Sequence, residues 1–352
     1  MTVTKRFYEI DLLRFLAAFC VLMFHYTFRG YTADNLTVLP YLSIAPVTRY
    51  GYLGVNLFFL ISGFVILMTA SSGSARYFVI SRVVRLYPAF WVCCTLTFLV
   101  MLVAGKQAPT FRQYLINMTM LSGFVGVPSI DAVYWSLFVE IKFYFLIFLA
   151  LLFGQIHRAK YLLGGWLILY LVTTAWPVKY VSYFLIRDYA PYFIAGAMFY
   201  LISKEGLSLY KGIVVAVCYV FVTLHAFAQA GEMEAHYQTS FNAVAVALIL
   251  AACFLVLFLI AHGRTGSFAS AKWAGLGALT YPLYLVHQSI GFTLFNAGYS
   301  HVNVHLLVWG VVALMVLVAY IVNKGVEQPS AKPMKELLGR LLAVRIRRAT
   351  SG

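Results

Sequence analysis

An arginine and a histidine in the first apolar stretch have the types and the spacing for chemistry. Arg14 precedes His25 by eleven residues. On an α-helix this is three turns plus about 20°, so both side chains project from one face, about 16 Å apart along the axis. An imidazole accepts a hydroxyl proton near neutral pH, and a guanidinium binds phosphate. Structural alternatives stay open, because Arg14 can snorkel to the headgroups and His25 can be a core residue.

A carboxylate in a later apolar stretch is the candidate partner of this imidazole. Glu140 is expected roughly two turns below the outer surface, at a depth similar to that of His25. There it would orient the ring or hold a proton, although it can also pair with Lys142 or with another helix. Asp11, one turn before Arg14, is the expected partner of that arginine.

Two further arginines have the spacing for binding phosphate groups. Arg82 and Arg85 are three residues apart and share a helical face. Together with Arg14 they are the predicted binding residues for a phosphate-bearing donor. Enrichment of cations on the cytoplasmic side of a membrane explains Arg82 and Arg85 equally well.

Polar side chains within other apolar stretches are candidates for binding a substrate, because such groups are costly in lipid unless they face a cavity or a partner. Thr280, Tyr281, Tyr284 and His287 recur at helical spacing. For them, packing in the protein core with hydrogen-bonded hydroxyls is an equal alternative. The predicted substrate-binding residues are Asn56, Trp135, Tyr281, Tyr284 and His287.

These side chains must be positioned by a protein that is mostly apolar. Its 352 residues are 62% hydrophobic and 11% charged, whereas soluble domains have about 25% charged residues. Apolar stretches long enough for transmembrane helices recur along the chain. The predicted fold class is therefore all-α, a polytopic membrane helical bundle of about ten transmembrane helices. The predicted spans are 10–29, 53–70, 88–104, 133–153, 161–177, 189–203, 211–229, 241–261, 277–297 and 305–323.

The distribution of lysine and arginine predicts the topology. Outside the spans or at their ends, eighteen of these residues fall on the side of the N-terminus and six on the other, which predicts that both termini are cytoplasmic. The same bias explains the net charge of +15. Because the cations lie in short loops and not on one surface, nucleic acid is excluded as a partner. The first apolar run is expected to remain as a helix and not to be cleaved as a signal peptide.

Two segments outside the spans have predicted roles. Residues 106–131 are too polar to cross a membrane but contain aromatic side chains, which favours an interfacial or re-entrant segment. Residues 331–352 alternate leucine with lysine and arginine, a pattern typical of an amphipathic helix on an anionic inner leaflet. The predicted organisation is one transmembrane domain, 1–330, followed by a basic cytoplasmic tail, 331–352.

Six runs of residues, in order and at matching spacing, resemble the acyltransferase-3 family of membrane-bound acyltransferases. Together they extend over nearly the whole chain, so the resemblance is stronger than any single run would make it. One departure is Thr280, which stands where many relatives have serine. The runs are Arg14 to His25, Gly54 to Phe64, Arg82 to Pro88, Trp135 to Glu140, Tyr281 to His287 and Glu327 to Pro329.

The resemblance implies transfer of an acyl group, commonly acetyl from acetyl-CoA, to a hydroxyl of O-antigen, exopolysaccharide or a related glycan. It implies that Arg14 and His25 are essential, in a multi-pass protein of the bacterial inner membrane. The expected partners are acyl-CoA, a saccharide acceptor, membrane lipids and polysaccharide-assembly proteins. No tightly bound cofactor and no metal are expected. The membrane domain is expected either to act directly on its acceptor or to pass the acyl group to a separate protein.

A transporter or flippase of a lipid-linked saccharide is the alternative function. Glu140, His25 and His287 would then form an intramembrane proton relay. Secondary transporters are typically built from internal repeats with matched pairs of broken helices, and the sequence has no such pattern.

Overall fold

The computed structural model describes residues 6–32, 34–105 and 107–349, with side chains through residue 342. Within these residues the chain is helical and has no strand, and eleven of its helices have sixteen residues or more. The eleven are α1 (Tyr8–Phe24), α2 (Leu53–Ala70), α3 (Ala75–Ala104), α4 (Tyr134–Leu152), α5 (Ala159–Ala175), α6 (Ala190–Glu205), α7 (Leu209–Tyr237), α8 (Ala243–Ala261), α9 (Trp273–Gly298), α10 (Val304–Val322) and α11 (Gln328–Ala349).

Each predicted span overlaps one of the helices α1 to α10. Among the described residues, seven helical segments are long and apolar enough to cross a membrane, so the chain is an all-α, multi-pass membrane protein. Helices α5, α6 and α9 are outside that set of seven; α5 and α6 have only 17 and 16 residues. The number of ten crossings and the sides of the two termini stay predictions.

The third helix is longer than its predicted span. It was expected to begin at Pro88, but it begins at Ala75, where the hydroxyl of Ser74 accepts a hydrogen bond from the Tyr77 N–H, 3.1 Å away. This is an N-cap, and it satisfies a donor that the first turn leaves without a partner. Its thirty residues span about 45 Å, longer than the ~30 Å hydrocarbon core. Consequently Arg82 and Arg85 lie on the helix and not in a loop.

The helices form two compact units. The first unit consists of Met1–Ser71 and Val139–Ala278, and the second of Ser72–Phe138 and Leu279–Gly352. This division does not test the predicted domain boundary between residues 330 and 331.

Glycines in α2 and just before it permit close packing against α1, as the sequence predicts for small residues. A Cβ on Gly54 would lie 2.6 Å from the carbonyl oxygen of Ala17, and one on Gly51 would lie 3.0 Å from the Cβ of Phe24. Since the earlier glycine contacts the later residue of α1, the two helices are antiparallel.

A second close contact joins α2 to α6. A Cβ on Gly196 would overlap the carbonyl oxygen of Leu60, and one on Gly63 would overlap the carbonyl oxygen of Phe193. The backbones of the two helices therefore touch at both glycines, and α2 lies between α1 and α6 in the centre of the first unit.

In the second unit the polar segment between α3 and α4 packs along α3. Its short helix, Phe111–Asn117, places the Tyr114 ring in a stack with Phe98, with centroids 4.6 Å apart. The indole N–H of Trp91 donates to the carbonyl oxygen of Met118, 3.0 Å away. This segment contains no span, and its interfacial or re-entrant position stays a prediction.

Candidate functional site

His25 is the first residue of a π-helical turn. This turn, His25–Arg29, follows α1 directly, and the Gly30 N–H donates to the His25 carbonyl oxygen five residues back. The Thr27 hydroxyl donates to the carbonyl oxygen of Met23, 2.7 Å away, and satisfies an acceptor where the helix type changes. Single π turns within α-helices are frequent at functional sites. His25 is buried, with 4% of its surface exposed.

Arg14 lies on the same continuous helix. The chain is α-helical from Arg14 to the end of α1, and His25 keeps helical dihedral angles, φ −66° and ψ −45°. The backbone therefore has the predicted rotation of about 20° and rise of about 16 Å between the two residues. Arg14 is half-buried. Asp11, its expected partner, forms a salt bridge with Arg6, with 2.9 Å between the charged atoms.

The carboxylate of Glu140 binds a hydroxyl of the neighbouring helix. Ser62 Oγ in α2 donates to Glu140 Oε1 over 2.6 Å, and Ser62 is buried. Ser62 and Glu140 are 78 residues apart in the sequence. Their hydrogen bond joins the run Gly54 to Phe64 to the run Trp135 to Glu140. It does so in the first unit, which also contains His25.

The depth of Glu140 differs from the expectation. His25 lies level with Gly51, because Gly51 packs against the residue that precedes His25. Ser62 is eleven residues beyond Gly51 along the α2 direction, which is about 16 Å of helix. The Glu140 carboxylate, bonded to Ser62, is therefore close in depth to Arg14 and about three turns from His25. Counting turns from an assumed outer surface gave the wrong depth because helices of one bundle do not start at a common level.

Asn56, a predicted substrate-binding residue, binds α6. Its side-chain N–H donates to the hydroxyl oxygen of Tyr192 over 2.6 Å, and both side chains are buried. The amide therefore has a structural partner within the first unit.

The two arginines of α3 have different surroundings. Arg85 Nη1 forms a salt bridge with Glu327 Oε1 over 2.9 Å, and the Glu327 side chain is 8% exposed. Arg82 donates from Nε to the Ser81 hydroxyl over 3.2 Å, and its guanidinium lies 5.9 Å from the centre of the Phe78 ring. Of these two arginines, Arg85 is thus the one paired with a buried carboxylate.

Within the second unit, the run at Trp135 meets the run that ends at His287. The Tyr284 and Ser136 hydroxyls are 2.8 Å apart, and the Tyr281 hydroxyl donates to the carbonyl oxygen of Leu86 over 3.2 Å. His287 is fully buried, and its Nδ1 is 2.8 Å from the Tyr284 carbonyl oxygen. Because a carbonyl oxygen only accepts, Nδ1 carries a proton in this contact. Trp135 is 40% exposed.

Sequence reasoning missed Asp131, a fully buried carboxylate just before α4. Its Oδ1 accepts from the Val133 N–H over 3.1 Å and its Oδ2 from the Ser289 N–H of α9 over 2.9 Å. Tyr134 donates to the carbonyl oxygen of Leu285, one turn before Ser289, over 3.3 Å. Asp131 and Tyr134 therefore bind the start of α4 to the middle of α9. Asp131 stands directly before the apolar segment that begins at Ala132, and an aspartate in that place is a helix start signal that was available in the sequence.

We expect Asp131→Ala to lower the free energy of unfolding by about 2 kcal/mol, because one buried and one partly buried N–H group would lose their acceptor. Asp131→Asn keeps one acceptor oxygen and should lose less. Thermal unfolding in detergent measures both variants. Asp188→Ala, at an exposed aspartate, is the control and should stay within about 0.5 kcal/mol of the parent. Equal stability of Asp131→Ala and the parent would refute the assigned role.

A second missed carboxylate joins the far end of the first helix to the end of α7. Asp34 accepts from Arg29 Nε over 2.8 Å and from His236 Nε2 over 2.6 Å. Burial raises the pKa of Asp34, but the hydrogen bonds from Arg29 and His236 outweigh it, and the pKa lies below its usual value. A lowered pKa in the folded state means that this carboxylate stabilises the fold at neutral pH. That contribution is lost as the pH falls through the folded pKa.

The structure divides the predicted site residues between its two units. Among the described residues no group of three or more His, Cys, Asp or Glu side chains could hold a metal ion. The first unit contains Arg14, His25, Asn56 and Glu140, and the second contains Arg82, Arg85, Trp135, Tyr281, Tyr284 and His287.

One protein family matches most of this chain, and two individual proteins are similar to parts of it. The acyltransferase domain family called acyltransferase-3 matches residues 7–324. ORF330 of the Acidianus two-tailed virus, whose name carries a provisional acetyltransferase assignment, is 24% identical over 263 residues, 72% of this chain and 76% of that protein. Nodulation protein 10 of Rhizobium leguminosarum bv. viciae is 32% identical over 161 residues, 39% of this chain and 42% of that protein. No solved structure matches the chain.

The family match includes the helix with Arg14 and His25, the Ser62–Glu140 contact and the arginines of α3. It leaves only 6 residues before it and 28 after it unmatched, out of 352. The chain belongs to the acyltransferase-3 family of membrane acyltransferases.

Proposed function

We propose that this chain transfers an acetyl group from acetyl-CoA to a hydroxyl of a cell-surface or lipid-linked saccharide, in the inner membrane of a bacterium. Family membership supports acyl transfer, and the name of ORF330 supports acetyl as the group. The observation that carries the proposal is the buried imidazole of His25 at the start of a π turn, on one helix with Arg14.

His25 is the general base of the proposed reaction. Its imidazole accepts the proton of the saccharide hydroxyl, and the oxygen attacks the thioester carbonyl carbon. As the new C–O ester bond forms, the C–S bond breaks and the departing CoA thiolate takes the proton from the imidazolium. General base catalysis of this kind contributes roughly 10² to 10⁴ in rate. In a variant of the scheme the imidazole carries the acetyl group itself, which would give ping-pong kinetics.

Arg82 and Arg85 in the second unit are the residues proposed to bind the CoA phosphates. The charged CoA head cannot cross lipid, and these arginines lie at the predicted cytoplasmic end of α3. Arg14 supplies positive charge on the helix of His25. We assign no step to Glu140, because it lies about three turns from the level of His25. Among the proposed saccharide-binding residues, Trp135 has the largest exposed fraction of its surface, 40%.

Incubation of membranes with acetyl-CoA labelled in its acetyl group tests the reaction. Membranes that contain this chain should move the label into the saccharide fraction, and membranes without it should not. Mass spectrometry of surface glycans from the two strains should then differ by whole acetyl groups. Label that stays on the donor, with identical glycans, would contradict the proposal and favour the transporter.

We expect Arg82→Ala to raise the KM for acetyl-CoA by roughly tenfold and to leave kcat nearly unchanged. Loss of a charge-assisted hydrogen bond to phosphate weakens binding of the donor without altering the groups that move protons. Initial rates at varied acetyl-CoA concentration measure both constants. Arg158→Ala, at an exposed arginine, should leave both constants unchanged. A large fall in kcat for Arg82→Ala would argue against a role in donor binding.

A further inference from the structure

A chain of hydrogen bonds ends at the guanidinium of Arg85. Gln328 Nε2 donates to Asn323 Oδ1 over 2.9 Å, and Asn323 Nδ2 donates to Glu327 Oε2 over 2.6 Å. The other carboxylate oxygen, Glu327 Oε1, accepts from Arg85 Nη1 over 2.9 Å. Both oxygens of Glu327 thus have a donor, and the amide of Asn323 has a fixed orientation.

A π-helical turn makes this chain of contacts geometrically available. The turn is Asn323–Glu327, and the Gln328 N–H donates to the Asn323 carbonyl oxygen five residues back. In a regular α-helix a residue five positions further on lies about 140° away around the axis. The π turn brings that residue onto the same face, so Asn323 contacts both Glu327 and Gln328. This is the second π turn among the described residues, and like the first it contains one residue of a family-like run, here Glu327.

Arg85 is held on a second side by an aromatic ring. Its guanidinium lies 5.7 Å from the centre of the Tyr281 ring, and the Tyr281 hydroxyl donates to the Leu86 carbonyl oxygen. The ring is therefore itself fixed to α3. Glu327 and Tyr281 together restrict the rotamers that Arg85 can adopt.

The guanidinium keeps the capacity to bind an anion. Its side chain is 31% exposed, and, among the described residues, Glu327 engages one of its five N–H donors. A planar guanidinium that is already oriented loses less entropy when it binds phosphate than one on a mobile side chain. The buried carboxylate therefore holds the guanidinium without using all of its N–H donors.

We propose that Glu327, oriented by Asn323, is a positioning residue that holds the guanidinium of Arg85 for a phosphate group of the CoA donor. The inference rests on the proposed function and adds to it a residue of the π turn. It assigns the run Glu327 to Pro329 to donor binding, through Arg85 and without contact of Glu327 with the donor.

Binding of CoA to the purified full-length protein tests this without knowledge of the acceptor. Glu327→Gln should raise the Kd for CoA by roughly tenfold, the lower end of what loss of an orienting partner costs at other charged sites. Asn323→Ala keeps the carboxylate and should shift the Kd in the same direction by a smaller factor. Glu327→Asp, which retains the charge, should recover part of the affinity. Glu336→Gln, at an exposed glutamate of α11, is the matched control.

Comparison with dephospho-CoA, which lacks the 3′-phosphate, identifies the phosphate group that Arg85 binds. If Arg85 contacts the 3′-phosphate, Glu327→Gln should change the Kd for dephospho-CoA by less than about twofold, because the group it helps to bind is absent. If Arg85 contacts the pyrophosphate, the variant should weaken both ligands equally. Either pattern supports a positioning role, provided that the variant is folded and has the thermal stability of the parent. Loss of a merely structural residue would not weaken CoA binding in such a variant.

Two outcomes would overturn the inference alone. The first is a parent protein that binds CoA and transfers acetyl while Glu327→Gln and Asn323→Ala bind CoA as the parent does. The second is tighter binding of CoA by Glu327→Gln, which would mean that the carboxylate competes with the phosphate. If Glu327→Gln does not fold, Asn323→Ala decides on the same criteria. A parent that binds no CoA would overturn the proposed donor and this inference together.

Discussion

Replacement of His25 by alanine should lower acetyl transfer by roughly 10² to 10⁴-fold. Alanine has no group to accept the hydroxyl proton, and the sulfur of the departing thiolate loses its proton donor. Because the imidazole takes no part in binding the CoA phosphates, the affinity for CoA should stay near that of the parent. Transfer of labelled acetyl to the saccharide and CoA binding to the same purified variant measure the two effects separately.

The matched control is His157→Ala, at an exposed histidine between α4 and α5. It should transfer acetyl at the rate of the parent. His25→Gln keeps most of the side-chain volume but cannot act as a base, and it should be as inactive as His25→Ala. Full activity in either His25 variant would remove this residue from the mechanism. Inactivity accompanied by loss of the folded protein would indicate a structural role.

Substitution of Gly196 by alanine should lower the free energy of unfolding by about 3 kcal/mol, at the upper end of what overpacking in a core costs. A Cβ at this position would overlap the carbonyl oxygen of Leu60 and lie 2.8 Å from its carbonyl carbon. Those atoms are backbone atoms of α2, so a change of side-chain rotamer cannot relieve the overlap, and α2 and α6 must separate. The midpoint of thermal unfolding in detergent should fall, together with the yield of folded protein.

The control substitution is the same change at Gly165 in α5, where, apart from the adjacent residues and the backbone of its own helix, no heavy atom lies within 4 Å of an added Cβ. Gly165→Ala should be neutral or stabilising by up to about 1 kcal/mol, since alanine is the better helix former. If Gly196→Ala is as stable as Gly165→Ala, the close contact of α2 and α6 is wrong.

Length and apolarity predicted most of the helices, because crossing a hydrocarbon layer imposes a minimum length that is readable in the sequence. The beginning of α3 was missed, because Pro88 was interpreted as a helix start, a position that proline often takes. Here Ser74, fourteen residues before Pro88, caps the helix, and a serine before a helical run is also a recognised start signal. Which of two start signals is used depends on packing beyond the local sequence.

The candidate site was only partly predictable. The face shared by Arg14 and His25 follows from helical periodicity alone. The pairing of Ser62 with Glu140, and of Arg85 with Glu327, depends on which helices are neighbours and at what offset. A single sequence contains no direct signal for that offset. For this reason the carboxylate of Glu140 was expected at the wrong depth, and the partner of Arg85 was not expected at all.

The two π turns among the described residues are places where the length of this chain can vary by one residue. In each, an N–H reaches back five residues, from Gly30 to His25 and from Gln328 to Asn323, as after insertion of one residue into an α-helix. Deletion of one residue there would convert the π turn into an α-helical turn, in which the N–H reaches back four residues. The residues after the turn would keep nearly the same face of the helix, because five residues of a π turn and four residues of an α-helix each complete about one turn. A single-residue gap at these two places would therefore alter the turn itself and preserve the contacts of the helix on either side.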